Sequence, residues 1–161
     1  MSIEKFKPRT LRIQHGQRRE VRTQFGALCY RLQNEKVQVL LITSRGTGRW
    51  ITPKGWPLHD LDPTRTAERE AYEEAGVEGR VGKRCLGIYS YDKIFDDNDD
   101  LPCVVAMFPF RVKRLLRSWP EKSERRRKWV SRKKAAQMVA EPELQQIILG
   151  FSPKYDDRPG G

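Results

Sequence analysis

A single mixed α/β (α+β) domain is what this sequence predicts, and three observations carry that expectation. Strand-type apolar runs separated by turn residues fill residues 25–51, and they return between 84 and 112. A helix with defined start and stop residues stands between them at 63–75, and further helical stretches follow towards the end. The length of 161 residues suits one hydrophobic core but not two ordinary domains, and no internal repeat breaks the pattern.

Taken in order, residues 1–21 are basic and lack apolar periodicity. They read as an N-terminal arm, ordered to the extent that it packs on the domain at 22–150. Residues 25–32 and 37–42 read as strands joined by a turn at 33–36, so they form a hairpin. A glycine-containing loop at 44–48 leads to a short strand at 49–52, which Pro53 stops. After a loop at 55–61, Asp62 caps the first free amides of a helix and Pro63 suits its first position. Gly76 provides the stop after Ala75. Ala67, Ala71 and Ala75 recur every four residues, a small-residue stripe that lets the helix lie close on a sheet. Strands are expected at 84–91 and 103–112, with an acidic loop at 96–100 between them. Trp129-Val130 reads as a short strand, Ser131 as the cap of a helix through Ala140, and 142–149 as a final helix. Residues 151–161 read as a frayed tail.

The net charge of +11 and pI near 9.9 point to an anionic partner: nucleic acid, a phosphate-rich metabolite or an anionic membrane surface. Solubility alone is the plainer explanation. Cys29, Cys85 and Cys103 are odd in number and widely spaced, which argues for a reducing compartment rather than a disulfide framework. Cys29 and Cys103 sit in apolar runs and are expected to be buried. His15 and His59 share no ligand spacing, so no zinc site is expected. The opening MSIEKFKPRT has no apolar signal core, and no stretch approaches a membrane span. A cytoplasmic protein that makes no membrane contact is the expectation, with oligomeric state open.

Chemistry concentrates on the helix at 63–75. Glu70, Glu73 and Glu74 stand at i, i+3 and i+4, which places three carboxylates on one α-helical face. A solvated acidic face balanced by Arg65 and Arg69 explains three glutamates by themselves. A divalent cation explains them together with their surroundings, because magnesium and manganese prefer carboxylate oxygens. Those surroundings are specific. Gly55, five residues, Leu61, seven residues, and then Arg69-Glu70-Ala71-Tyr72-Glu73-Glu74-Ala75-Gly76-Val77 resemble the Nudix box, G-x5-E-x7-R-E-U-x-E-E-x-G-U, where U is bulky and aliphatic. Gly55, Arg69, Glu70, Glu73, Glu74, Gly76 and Val77 match in register. Two positions depart: Ala71 is small, and Leu61 stands where the family has its first glutamate, so Arg69 is left to pair with Glu73, Asp60 or Asp62.

The resemblance covers roughly residues 22–150 and implies a Nudix α/β/α sandwich with a mixed sheet and the box helix packed on it. It implies Mg2+ (Mn2+ as the substitute) held by Glu70, Glu73 and Glu74 with a backbone carbonyl at Lys54 or Gly55. Arg69 is implied as the fourth member of the catalytic set. Ser44-Arg45, Arg49-Trp50-Ile51 and the segment from Trp119 to Trp129 are similar to the diphosphoinositol polyphosphate phosphohydrolase branch, which also cleaves diadenosine polyphosphates. Glu70 is the first candidate for the base. An aspartate among Asp96, Asp97, Asp99 and Asp100 is the second, since no glutamate lies between Gly79 and Trp119. Arg22, Ser44, Arg45, Lys54, Arg125, Arg126 and Arg127 are the candidate substrate-binding residues, because guanidinium forks suit phosphate oxygens. An exposed charged turn explains each member of the run 125–128 equally well when taken singly. Trp50, Trp56 and Tyr72 are available to stack on a base or to fill the core.

Three alternatives follow. One is a Nudix enzyme for nucleoside triphosphates or ADP-ribose. Another is a catalytically weak Nudix scaffold that binds RNA, although no RNA-recognition signature is present. The third is action on capped RNA ends.

Overall fold

Period-two alternation builds the centre of the molecule. The computed structural model describes residues 5–9, 21–57, 62–94 and 100–156. In β2 (Arg22–Gln33), Ala27 and Cys29 point to one face and Leu28 and Tyr30 to the other. In β3 (Lys36–Thr43), Leu40 and Ile42 share the first face and Val39 and Leu41 the second. Both faces are apolar, so both are covered, and the result is helix, sheet, helix.

The other strands are β1 (Lys5–Arg9), β4 (Trp50–Ile51), β5 (Lys54–Gly55), β6 (Val77–Val81), β7 (Gly87–Ile94), β8 (Asp100–Leu115) and β9 (Arg127–Ser131). The main sheet runs β1-β7-β8-β2-β3-β4; β5 adds to β2, β6 to β8 and β9 to β3. The β2–β8 pairing is parallel and the remaining pairings are antiparallel, which makes the sheet mixed, as expected. One face carries α1 (Pro63–Glu70) and its continuation. Ala67, Ala71 and Ala75 are fully buried there against Ala27, Cys29, Leu40, Ile42 and Phe110. The other face carries α2 (Arg132–Met138) and α3 (Pro142–Gly150), whose Ala135, Leu144 and Ile148 pack over Leu28, Tyr30, Val39 and Met107. Asp62 caps α1 by accepting from the Arg65 amide at 2.8 Å, and Ser131 caps α2 by accepting from the Lys134 amide at 3.1 Å. Both caps were expected.

Several expectations shift. The helix reaches Ala75, but its last stretch, Ala71–Ala75, is a π-helical turn. Part of the basic arm is strand: β1 joins β7 at the sheet edge, where main-chain pairing needs no apolar alternation. The strand expected at 84–91 begins at Gly87 and runs to Ile94. β6 was missed because Gly79 and its charged neighbours Glu78 and Arg80 hide it; it pairs with β8 through an irregular register at Glu78/Gly79. The frayed tail is corrected for residues 151–156. Phe151 is buried with its ring 4.8 Å from that of Tyr30, and the Tyr30 hydroxyl donates to the buried Asp156 carboxylate. Residues 157–161 lie outside the described residues, as do Leu61 and Asp60. Cys29 and Cys103 are buried, as expected, and Cys85 is exposed. Burial pushes the Cys29 thiol far up, assisted by the negative charge of Glu74. Among the described residues no helix is long and apolar enough to cross a membrane.

Asp156→Ala removes the buried hydrogen bond between Tyr30 and Asp156 and is expected to lower the unfolding free energy by about 1–3 kcal/mol in urea titration. An unchanged midpoint would return this segment to the frayed description.

Candidate active site

The small-residue stripe brings the end of α1 down onto β5. Gly55 is where the approach is closest: a Cβ there would lie 2.2 Å from the Glu70 carboxyl carbon. Only glycine leaves room for that carboxyl over the sheet. Beyond Glu70 the backbone enters the π turn, which fits an additional residue into the turn and is a frequent device at functional sites. The extra residue rotates Glu73 away and brings Glu74 over the strand. Glu74 is buried, its Oε1 accepts from the Lys54 amide at 2.9 Å, and its Oε2 accepts from Arg125 Nη2 at 2.9 Å. Glu73 pairs instead with Arg69 on the outer side, at 2.9 Å, one of the pairings expected for that arginine. The three carboxylates predicted to share one face are therefore divided, and Glu73 and Arg69 do not line the cleft.

Gly76 closes the turn in the left-handed region at φ 64°, and its missing side chain makes room for the Trp119 ring. Trp119 Nε1 donates to the Glu74 carbonyl at 3.3 Å, and the Glu121 amide donates to the Glu73 carbonyl at 3.1 Å. The segment after β8 is thereby strapped to the helix end, and it delivers a carboxylate that sequence reasoning did not name. Glu121 lines the cleft with Glu70 and Glu74, and its Oε1 accepts from Arg125 Nε at 3.0 Å. Its signal was its place two residues after Trp119, just beyond the stretch inspected for a later glutamate.

The cleft holds about 250 Å³, and its lining mixes the carboxylates Glu70, Glu74 and Glu121 with the cations Arg45, Arg49, Lys54 and Lys93. Burial, then the charges of Glu74, Glu73 and Glu121, push the Glu70 carboxyl up to about 8, against the pull of Arg125. Burial also raises Glu74, opposed by Arg125 and Lys54. Gln24 accepts from the Tyr91 hydroxyl at 2.6 Å in the same wall, and Trp56 stands on the rim with Lys93 Nζ 5.4 Å from its ring centre. Arg49, Lys93, Gln24 and Tyr91 were not named as site residues from the sequence. Their chain positions lie far apart, and only the sheet order brings them together.

Of the predicted substrate-binding residues, Ser44, Arg45 and Lys54 do line the cleft. Ser44 Oγ also accepts from the Arg49 amide at 3.0 Å, which fixes the turn that carries both arginines. Arg125 lines it too, but its guanidinium is 5% exposed and engaged by Glu74, Glu121 and the Thr43 carbonyl. Arg126 and Arg127 are corrections. Arg126 lies 5.8 Å over the Trp50 ring, and Arg127 donates to the carbonyls of Ala75, Gly76 and Leu116, satisfying acceptors that a helix end leaves open. Arg22 is exposed at the start of β2, beside Cys103, and is not in the cleft wall. Tyr72 is exposed away from the cleft and Trp50 packs on the core, leaving Trp56 as the aromatic residue of the three that reaches the cleft. Asp96, Asp97 and Asp99 lie outside the described residues, and Asp100 opens β8 opposite Ile94.

Comparisons with known proteins bear on the family and the fold. A family model for the NUDIX domain matches residues 22–151. Mouse diphosphoinositol polyphosphate phosphohydrolase 3-alpha is 34% identical over 134 residues, covering 78% of this chain and 77% of that protein. Rat diphosphoinositol polyphosphate phosphohydrolase 2 is 31% identical over 157 residues, covering 92% and 82%. Among solved structures, the C. elegans Ap4A hydrolase superposes with a TM-score of 0.62 at 19% identity, over 81% of this chain and 95% of that one, which supports the fold.

Two outcomes test the geometry. Gly55→Ala is expected to displace the Glu70 carboxyl and lower turnover about tenfold or more while the chain stays folded, read by steady-state kinetics beside circular dichroism. The second concerns pH, in buffer with a chelator. A carboxyl at about 8 in the folded chain and 4.5 when exposed binds its proton more tightly in the folded state. Its contribution is fully present below the lower value and is lost as pH rises through the upper one. Urea stability should therefore fall more steeply for the wild type than for Glu70→Gln between about pH 5 and pH 9. Equal slopes would mean that Glu70 is not the titrating group.

Proposed function

The chain belongs to the NUDIX family of hydrolases, and from that premise we propose that it cleaves a phosphoanhydride bond in a polyphosphorylated small molecule with the help of a divalent cation. The observation that carries this reading is the mixed charge of one cleft. Carboxylates, Glu70 and Glu121 foremost, line it together with the cations Arg45, Arg49, Lys54 and Lys93.

The donor chemistry fits a hard cation at Glu70. Its carboxyl is crowded by like charges, which hold the proton on, and a bound cation relieves that repulsion. Among the described residues no three carboxylate, imidazole or thiol groups stand together as a ready cage. Glu70 and Glu121, with the backbone at Gly55, would hold Mg2+ or Mn2+. When bound, such an ion neutralises phosphate oxygens and acidifies water. Glu73 is committed to Arg69, and both oxygens of Glu74 are taken by Lys54 and Arg125.

The chain's own side chains supply the rest. Arg45 and Arg49 grip phosphate oxygens through their forks, and Lys54 and Lys93 add point charges along the same wall. Glu70, at the cleft floor over Gly55, is also the side chain placed to accept the proton of the attacking water. Trp56 offers a face for a base or for the apolar side of a ring. The favoured substrates are diphosphoinositol polyphosphates, for which the 34% and 31% identical relatives are named, and diadenosine polyphosphates. Both carry several phosphates for these cations to hold.

The test is product analysis on diphosphoinositol phosphates, diadenosine polyphosphates, nucleoside triphosphates and ADP-ribose, with magnesium and with chelator. Cleavage of a member of the first two classes is expected only with magnesium, and Glu70→Gln should lower kcat by roughly 10²–10⁴. No cleavage of any substrate with magnesium or manganese would sink the reading. A best rate on ADP-ribose would move the substrate class.

A further inference from the structure

Arg49 lines the cleft with its main chain fixed on both sides. Its amide donates to Ser44 Oγ at 3.0 Å, and its carbonyl accepts from the Ser44 amide at 2.7 Å. Its side chain is 27% exposed, and Nη1 stands 3.9 Å from Oε2 of Glu141, whose side chain is 2% exposed. Glu141 arrives from the other face of the sheet. It precedes α3, whose Leu144 and Ile148 are fully buried in the core opposite α1. Its carbonyl accepts from the Gln145 amide at 3.0 Å as the helix starts, but its carboxylate makes no cap bond to the first turn. Burial raises that carboxyl, opposed by main-chain amides and by the charges of Arg49 and Lys54, two residues of the cleft lining.

We propose that Glu141 is a positioning residue for phosphate binding: from behind the cleft it holds the Arg49 guanidinium, so that the fork meets an incoming phosphate already oriented. The proposal rests on the reading above of the cleft as a polyphosphate site, and it adds to that site a residue outside the cleft lining. An arginine gives up rotamer freedom when a ligand fixes it, and a fork held beforehand has less to lose. A carboxylate so far out of water is costly by itself, and the pairing with Arg49 offsets that cost. Glu141 is not in the cleft lining, so its effect on a ligand passes through Arg49. Charge alone gives the opposite sign. A negative group behind the cleft repels phosphate, so its removal would tighten binding if orientation did not matter.

The experiment measures binding of inorganic tripolyphosphate to the intact chain by calorimetry in buffer free of divalent ions, with a thermal melt by circular dichroism on each variant. Glu141→Gln is expected to raise Kd about three- to tenfold in the wild-type background. Beside Arg49→Gln it should change Kd by less than about twofold, because a residue that acts through Arg49 has nothing left to act through. Tighter binding by Glu141→Gln would make Glu141 a competing charge only. An unchanged Kd with a lower melting temperature would make it structural only. Either result, or an equal loss in both backgrounds, overturns the proposal and leaves the polyphosphate reading standing. If Glu141→Gln does not fold, Glu141→Asp decides: it keeps the charge, shortens the reach and should weaken binding in the same direction, and an unchanged Kd overturns the proposal. A wild type that binds no tripolyphosphate overturns the grip assigned to Arg49 and the role of Glu141 with it, while magnesium-dependent cleavage, measured separately, decides the reaction.

Discussion

Everything in the site depends on how closely one helix can approach one sheet. Ala67, Ala71 and Ala75 remove the bulk that would hold α1 off β2, and Gly55 removes the last Cβ under Glu70. Close approach places a carboxyl against main chain and takes it largely out of water. Desolvation and neighbouring carboxylates then raise its proton affinity into the neutral range. Larger residues in the stripe would give a better apolar contact and a more ordinary glutamate.

Charge is distributed with more balance than the whole-chain value suggests. The cleft wall holds Arg45, Arg49, Lys54, Lys93 and Arg125 against Glu70, Glu74 and Glu121. Glu124 stands 3.7 Å from Arg45, and the buried Glu141 stands 3.9 Å from Arg49. Most of the net +11 is therefore carried by residues other than these. Arg45 is 58% exposed and its ion pairs are long, so it can be drawn to an incoming anion at small cost. Arg125 is the opposite case, held by Glu74, Glu121 and the Thr43 carbonyl.

Much of the fold was legible because period-two strands, the Asp62 and Ser131 caps and the Gly76 stop are local signals that packing reinforces. What was not legible was non-local. β1 is held by main-chain pairing to β7, and the Asp156 carboxylate finds its partner 126 residues away at Tyr30. For the site, the box spacing located Glu70, Glu74 and Gly55, but an α-helical template put Glu73 on the wrong side of the helix. Nothing in the sequence announces a π turn. The run 125–127 looked like one basic patch, yet neighbouring side chains on an extended segment diverge, and the three arginines went to an acidic pair, an aromatic ring and a helix end.

The π turn has a consequence for how this stretch of chain can vary. It makes Ala71–Ala75 a phase element: its residue count sets which carboxylate the cleft receives and where the strap from Trp119 to Glu121 meets the helix. Substitutions there alter one side chain at a time. A change in length would turn every later position about the helix axis, exchanging the surroundings of Glu73 and Glu74 together. The segment from Glu70 to Gly76 is therefore held by its length as much as by its composition.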